Sequence, residues 1–114
     1  MSVYESADYV VDGFVIKVGH AVPMTLPWAY LTAWNPHGER ASEADNAAAQ
    51  ASLVAALSGR TFFRGRGQAP DGSWSEDSLL VLDISRADAE ALGRRFRQKA
   101  IVVGGPIATL VYLE

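Results

Sequence analysis

The order of the strand and helix patterns along the chain constrains the fold more than any other feature of the sequence. Two segments, residues 28–34 and 78–84, are apolar on both faces, which is typical of covered central strands. Each precedes a helical pattern that begins at a serine N-cap, Ser42 or Ser85, with an aspartate three residues later. The predicted elements, in chain order, are a strand at residues 28–34, a helix at 42–58, strands at 61–64 and 78–84, a helix from residue 85, and a strand at 100–103.

This order of elements is that of the ferredoxin-like split βαβ sandwich. Right-handed crossovers then place both helices on one face of the sheet. We therefore predict an α+β fold, a ferredoxin-like βαββαβ two-layer sandwich in which the two apolar strands are adjacent and antiparallel. One extra strand is expected at each end. The first covers residues 9–18, with Gly13 as a bulge, and the second covers residues 107–113, after a turn at Gly104-Gly105.

Length and composition narrow the class of protein. The 114 residues correspond to a single domain, predicted to span residues 1–114. There are no cysteines, which excludes disulfides and thiolate metal sites, and His37 with Glu39 is too little for another metal site. The chain shows neither a signal peptide nor an apolar stretch near the roughly 20 residues that cross a bilayer. A cytoplasmic protein without a membrane partner is expected, and the net charge of −3 makes nucleic acid an unlikely partner.

Unusual polar residues fall where this topology brings the ends of elements together. The first strand ends, the first helix begins, the middle hairpin turns and the second helix ends at the same edge of the sheet. We predict a site there, formed by Asn35, Ser42, Asn46, Arg64, Trp74, Glu76, Ser78 and Gln98.

The same positions carry a family resemblance. The motifs are Thr32-Ala33-Trp34-Asn35-Pro36, Ser42, Asn46, Leu53, Leu57, Gly67, Trp74-Ser75-Glu76-Asp77-Ser78 and Phe96-Arg97-Gln98-Lys99-Ala100. In order and spacing they resemble a family of short bacterial proteins, the domain of unknown function numbered 3293, over residues 30–103. Two positions depart from that pattern, with Asp45 in place of Glu and Gln50 in place of a second Asn. The resemblance implies that the polar positions are the family's signature and carries no established activity.

Trp74 and Glu76 give the sharpest local signal. A tryptophan in a polar loop normally finds a pocket or a partner. Glu76, beside it in a partly apolar setting, could have a raised pKa and act as a catalytic acid or base. The structural alternative is that Trp74 covers the core while Glu76 forms an ion pair with Arg64 or Arg97.

Asn35, Ser42 and Asn46 each have a structural and a functional interpretation. Asn35 either bonds its own backbone in the turn before a proline or presents its amide to a ligand. Ser42 is either a plain helix cap or part of an anion site at the helix start. Asn46 falls on the buried stripe of the helix, and a buried amide needs partners for up to four hydrogen bonds. We expect Asn46 to tie the helix to the adjacent loop and to matter more for stability than Gln50.

Arg64 begins a glycine-rich segment that we predict to be a long polar loop over residues 65–77. The glycines permit close backbone approach, and the arginines could clamp a phosphate or carboxylate. The alternative is a solvated hairpin whose arginines pair with nearby acids. Arg64 and Glu76 flank the predicted loop between two paired strands, so we expect them to meet.

Three functions are compatible with these patterns. The first is a binding module that holds a small anionic or nucleotide-like ligand, or a protein segment, at this edge. The second is an enzyme with Glu76 as acid or base and Arg64 stabilising negative charge. The third is an interaction module or homodimer that uses a free strand edge or an open sheet face. That face would be lined by Tyr30, Thr32, Trp34 and Phe62 or Phe63. The sequence leaves the cofactor unknown.

Overall fold

Seven antiparallel strands form one curled sheet in the computed structural model, which describes residues 3–114. The strands are β1 (Asp8–Val11), β2 (Phe14–Ile16), β3 (Trp28–Leu31), β4 (Phe62–Gln68), β5 (Ser75–Leu82), β6 (Ala100–Gly104) and β7 (Ala108–Tyr112). The helices are α1 (Val3–Ser6), α2 (Glu43–Ala56) and α3 (Arg86–Arg95), with a 3-10 turn at Pro36–Gly38. Across the sheet the order is β2-β1-β4-β5-β3-β6-β7.

The central pair of strands is as predicted. β3 and β5 are adjacent and antiparallel, with Tyr30 opposite Leu80. The helix after each strand begins at the expected cap: the Ser42 hydroxyl accepts a 3.1 Å hydrogen bond from the Asp45 N–H, and Ser85 does the same for Asp88. The α+β class is therefore confirmed.

Both long helices cover one face of the sheet. Leu53 and Leu57 of the first long helix and Ala89 of the second join a buried cluster with Val81 and other residues of the central strands. We call this side of the sheet the helix face. Its packing confirms the stripe predicted for α2, because residues at helical spacing share the buried side.

The ends of the sheet differ from the prediction. The N-terminal segment is a hairpin of two strands, not one bulged strand, because Gly13 has φ +90° and turns the chain so that Val11 lies opposite Phe14. At the other end Gly104 pairs with Ala108, so the connection consists of residues 105–107 and not of the predicted Gly104-Gly105. The sheet consequently has seven strands where six were expected.

β4 is the largest correction. It continues to Gln68 and pairs with β1 on one side and β5 on the other, so the predicted loop of residues 65–77 shrinks to residues 69–74. Two of the three glycines that suggested a loop, Gly65 and Gly67, lie within the strand. A Cβ at Gly65 would sit 2.6 Å from the Tyr30 hydroxyl, so the missing side chain makes room for a large neighbour.

The other side of the sheet, the inner face, is closed by the curl. Ile16 near one edge and Ala108 at the other share a buried cluster with Trp28 and Tyr30. The segment after β2 reaches the opposite edge, where the Gly19 N–H donates a 2.8 Å hydrogen bond to the Ala108 carbonyl. Tyr30 is only 4% exposed. Tyr30 is therefore not available to an open aromatic sheet face, whereas Phe63, which was expected on the same face, is 49% exposed.

Within residues 3–114, no helix has the length and apolar run that crossing a bilayer requires.

Candidate functional site

The predicted convergence of polar residues occurs at the end of the sheet where β3 stops and β5 begins. Asn35 follows β3, Trp74 and Glu76 lie at the start of β5, and Gln98 precedes β6. Asn46 lies in the first turn of α2 and reaches the same place. The topology therefore brings most of the predicted site residues together.

A small pocket opens here, mainly on the inner face. Its enclosed part has a volume of about 40 Å³, within a recess of about 450 Å³ that includes the open mouth. A buried water needs roughly 10–15 Å³, so the enclosed part admits a group of about three heavy atoms without rearrangement. The polar and aromatic residues that line it are Tyr4, Tyr9, Tyr30, Thr32, Trp74, Glu76, Ser78 and Gln98.

Glu76 is the acidic residue of this described lining, and the side-chain amide of Asn35 forms a hydrogen bond with its carboxylate. The Asn35 Nδ2 donates a hydrogen bond of 2.8 Å to its Oε2. Burial raises the pKa of the Glu76 carboxyl above its ordinary value, and the Asn35 hydrogen bond offsets part of that rise. The structure thus places a partly desolvated carboxylate in a pocket, with a neutral partner instead of the predicted arginine.

Asn35 is itself fixed by the start of α2. Its backbone is left-handed (φ 49°), a conformation that asparagine tolerates better than most residues. Its Oδ1 accepts hydrogen bonds from the Ala41 N–H at 2.9 Å and from Asn46 Nδ2 at 3.1 Å. Its N–H donates in turn to Asn46 Oδ1 at 2.9 Å. Asn46 is 3% exposed and ties helix to loop as expected.

Gln50 has a role that the sequence did not reveal. It lies one turn after Asn46, is 8% exposed, and its Oε1 accepts a 3.0 Å hydrogen bond from the Ala33 N–H. It therefore fixes the loop before Asn35. Its Nε2 and the Trp34 Nε1 are buried without a hydrogen-bond partner in the described part of the chain.

Ser78 and Gln98 line the pocket and are also structural. The Ser78 hydroxyl donates to the backbone carbonyl of Glu76 at 3.0 Å. The Gln98 Nε2 donates to the carbonyls of Trp34 and Phe96 at 3.0 and 3.2 Å. These bonds join the start of β6 to the loop after β3, so they brace the pocket wall.

Trp74 contributes to the pocket, whereas Ser42 lies outside its described lining. Trp74 is half-buried, packs on the inner-face cluster and lines the pocket, as its position in a polar loop suggested. Ser42 is exposed and acts as the helix cap. Its hydroxyl is committed to the Asp45 N–H, which favours the structural interpretation of this residue.

Arg64 does not meet Glu76. It lies opposite Leu79 on β5, whereas Glu76 lies opposite Gly67, three residues further along β4. Three residues of a strand span about 10 Å. Residues that are opposite each other share a face, and Leu79 belongs to the helix-face cluster. Arg64 is therefore exposed on the other side of the sheet from the pocket.

His37 is an exposed loop residue, as expected. Its Nδ1 lies 2.5 Å from a carboxylate oxygen of Glu114. Within residues 3–114, no group of three or more His, Asp or Glu side chains is placed to hold a metal ion.

Tyr4 and Tyr9 were not predicted to line the pocket, and Tyr30 was expected on an open sheet face instead. Tyr9 comes from β1, and its hydroxyl donates to the Tyr4 carbonyl at 2.6 Å, while its ring meets the Tyr30 ring edge-on at 5.4 Å. The signal lay in Gly65 and Gly67, which alternate along one strand and leave room for large side chains on one face.

Comparison with known proteins places the chain in a family. The family model described as "Protein of unknown function (DUF3293)" matches residues 31–101, more than half of the chain. The chain therefore belongs to this family, as its motifs indicated. The search of curated proteins found no match, and the search of solved structures found none.

Proposed function

We propose that this protein is a binding module for a small ligand, and that its site is the pocket at the end of the inner face. The observation that supports this most is the position of the Glu76 carboxylate, which is partly buried in the pocket. Its observed side-chain partner is the neutral amide of Asn35 and not a cation. Such an arrangement is costly for folding, because burial disfavours the charged form.

A group of this kind is more readily explained by binding than by stability. In residues 3–114, none of the ion pairs seen includes Glu76. A glutamine could make a similar contact with Asn35 without the cost of a buried charge. Carboxylates with pKa values shifted by burial in clefts are candidates for functional residues. Glu76 is therefore the anchor of the proposed site.

The charge of the pocket bears on the anionic or nucleotide-like ligand expected from the sequence. Its described lining contains Glu76 and no lysine or arginine. Arg64, the residue expected to hold an anion, lies on the other face of the sheet. A small ligand remains our proposal, and the lining gives no support for a negative charge on it.

A fragment titration tests the proposal. Small polar compounds of three to five heavy atoms would be added to ¹⁵N-labelled protein at concentrations on the order of millimolar, as expected for ligands of this size. Binding in the pocket should shift the Trp74 indole signal and the backbone signals of Glu76, Ser78 and Gln98.

Two variants make the titration specific. A Cβ at Gly67 would be 3.6 Å from the Ser78 Oγ, an ordinary contact, so Gly67→Ala should fold while narrowing the pocket and Gly67→Val should fill it. Arg64→Ala is the matched control and should leave binding unchanged. Shifts that survive Gly67→Val in a folded protein, or that Arg64→Ala removes, would contradict the proposal.

An enzyme is the second candidate, favoured by the raised pKa of Glu76. A general acid or base works best with a pKa near the working pH. In that case Glu76 transfers the proton and Asn35 positions it, without Arg64. Signals of a bound fragment that change into those of a product during incubation would favour this candidate over a binding module.

We also propose that the four central strands and two long helices keep the ferredoxin-like arrangement within the larger curled sheet. The order β4-β5-β3-β6 supports this. The helices that follow β3 and β5 on a common face support it as well.

A further inference from the structure

Four of the five side-chain hydroxyl groups in the pocket's described lining, all but that of Tyr4, already donate their hydrogen atom within the protein. The Tyr9 hydroxyl donates to the Tyr4 carbonyl and the Tyr30 hydroxyl to the Val10 carbonyl, each at 2.6 Å. A backbone carbonyl only accepts hydrogen bonds, so each hydroxyl must be the donor. Neither tyrosine therefore has a hydroxyl hydrogen left for a ligand, and the Tyr30 oxygen is itself within hydrogen-bonding reach of the Arg66 N–H and the Ser78 hydroxyl.

Three further lining side chains are committed in the same way. The Thr32 hydroxyl donates to the Asp77 carbonyl at 2.7 Å, and Ser78 donates to the Glu76 carbonyl. The side-chain amide of Gln98 donates to two carbonyls. What these groups leave for a ligand is acceptor capacity.

The charged group of the pocket is an acceptor as well. Glu76 Oε2 receives one hydrogen bond from Asn35, and an ionised carboxylate has about four lone-pair sites in all. Among the side chains of the described lining, the Tyr4 hydroxyl and the Trp74 indole N–H are the two remaining donors, and both belong to aromatic residues. A ligand that fits must therefore mainly donate hydrogen bonds and tolerate π faces.

We propose that the ligand of this pocket presents a primary ammonium group on a short apolar stem. The inference rests on the proposed binding function and specifies its ligand. An ammonium carries three donors and no acceptor, which complements the committed hydroxyls, and its charge complements Glu76. Aromatic rings attract cations through their electron-rich faces, so Trp74 and the tyrosines add to the same preference.

The size of the pocket sets the part of the ligand that enters. Room for about three heavy atoms accommodates an ammonium with one or two carbons, and the open mouth leaves the remainder of the ligand outside. The site would then recognise the amino end of a larger molecule.

Three compounds with the same three-carbon stem test this inference. n-Propylammonium, 1-propanol and propionate differ in charge and donor number and hardly in length. Each would be titrated into the ¹⁵N-labelled protein while the Trp74, Glu76 and Ser78 signals are followed. We expect propylammonium to bind at least about tenfold more tightly than the other two, as a charge-assisted hydrogen bond allows.

Two variants carry the matched comparison. Glu76→Gln should lower the affinity for propylammonium to that for 1-propanol. Asp77→Asn removes one negative charge at the next residue, which is exposed and faces the other side of the sheet, and should leave the affinity within about twofold. Equal losses in both variants would show a general effect of net charge and overturn the inference.

The possible outcomes separate the inference from the proposed function. Equal affinities for the three compounds at the pocket, or tightest binding of propionate, would overturn the ammonium inference and leave the pocket as a binding site. Absence of any shift at the pocket with all three compounds would overturn both. Preference for propylammonium that depends on Glu76 supports both.

Discussion

The side chains of Asn35 and Glu76, 41 residues apart in sequence, are joined by a hydrogen bond of 2.8 Å. It connects the turn after β3 with the first residues of β5. The Asn35 oxygen is in turn held by Ala41 and Asn46 at the start of α2. The carboxylate of the pocket is therefore positioned by the loop and helix that the family's motifs specify.

The raised pKa of Glu76 predicts how stability depends on pH. The folded protein holds the proton of Glu76 more tightly than the unfolded chain, where the pKa is near its ordinary value of 4.5. Its stabilising contribution is therefore fully present below that value and is lost as the pH rises through the folded pKa. The free energy of unfolding of the natural protein should fall relative to that of Glu76→Gln as the pH rises.

Urea unfolding of both proteins between pH 4 and pH 8 measures this difference, because the other titrating groups are common to both. A difference that does not change with pH, or one that moves in favour of the natural protein as the pH rises, would show that Glu76 is not desolvated.

Asn46→Leu should destabilise the protein more than Gln50→Leu. Asn46 exchanges two hydrogen bonds with Asn35, and losing them costs about 1–3 kcal/mol. Gln50 accepts one hydrogen bond from Ala33, and its buried Nε2 is unpaired in the described chain, so leucine removes a bond and an unsatisfied group together. Chemical denaturation compares the two, and an equal or larger loss for Gln50→Leu would refute the ranking.

The helix side of the site could be predicted from the sequence. The capping serines fix where the helices begin, and the stripe of Ala49, Leu53 and Leu57 then places Asn46 on the buried side, one turn before Ala49. Gln50 lies on the same side by the same spacing. Its role was missed because the family resemblance suggested asparagine at this position. An asparagine side chain is shorter, so it gives no indication that glutamine extends to the Ala33 N–H.

The sheet side could not be predicted to the same degree. Alternate residues of a strand face opposite sides of the sheet. The side on which Arg64 lies can therefore be predicted only if it is known whether the strand ends at Arg64 or continues past it. Reading the following glycines as a loop put Arg64 beside Glu76. The packing of Tyr9 depends on pairing between β1 and β4, more than 50 residues apart, and local patterns do not encode such pairing.

Gly65 should not tolerate a side chain. A Cβ there would lie 2.2 Å from the Val10 carbonyl oxygen, which is backbone and cannot move aside without shifting β1. Gly65→Ala should cost about 2–3 kcal/mol or prevent folding. Gly105→Ala is the control, because a Cβ there meets no described atom within 4 Å, and it should change stability by less than about 0.5 kcal/mol. Thermal unfolding distinguishes them, and similar melting temperatures would disprove the close approach of β1 and β4.

The most direct test of the binding proposal is the titration of Glu76 itself, followed by the ¹³C signal of its side-chain carboxyl with and without propylammonium. We predict a pKa above the ordinary 4.5 in the free protein, because the carboxyl is partly buried. We predict that this pKa falls when propylammonium is added, because a bound cation favours the ionised carboxylate. A carboxyl that titrates at its ordinary pKa and does not respond to the cation would contradict the proposed site.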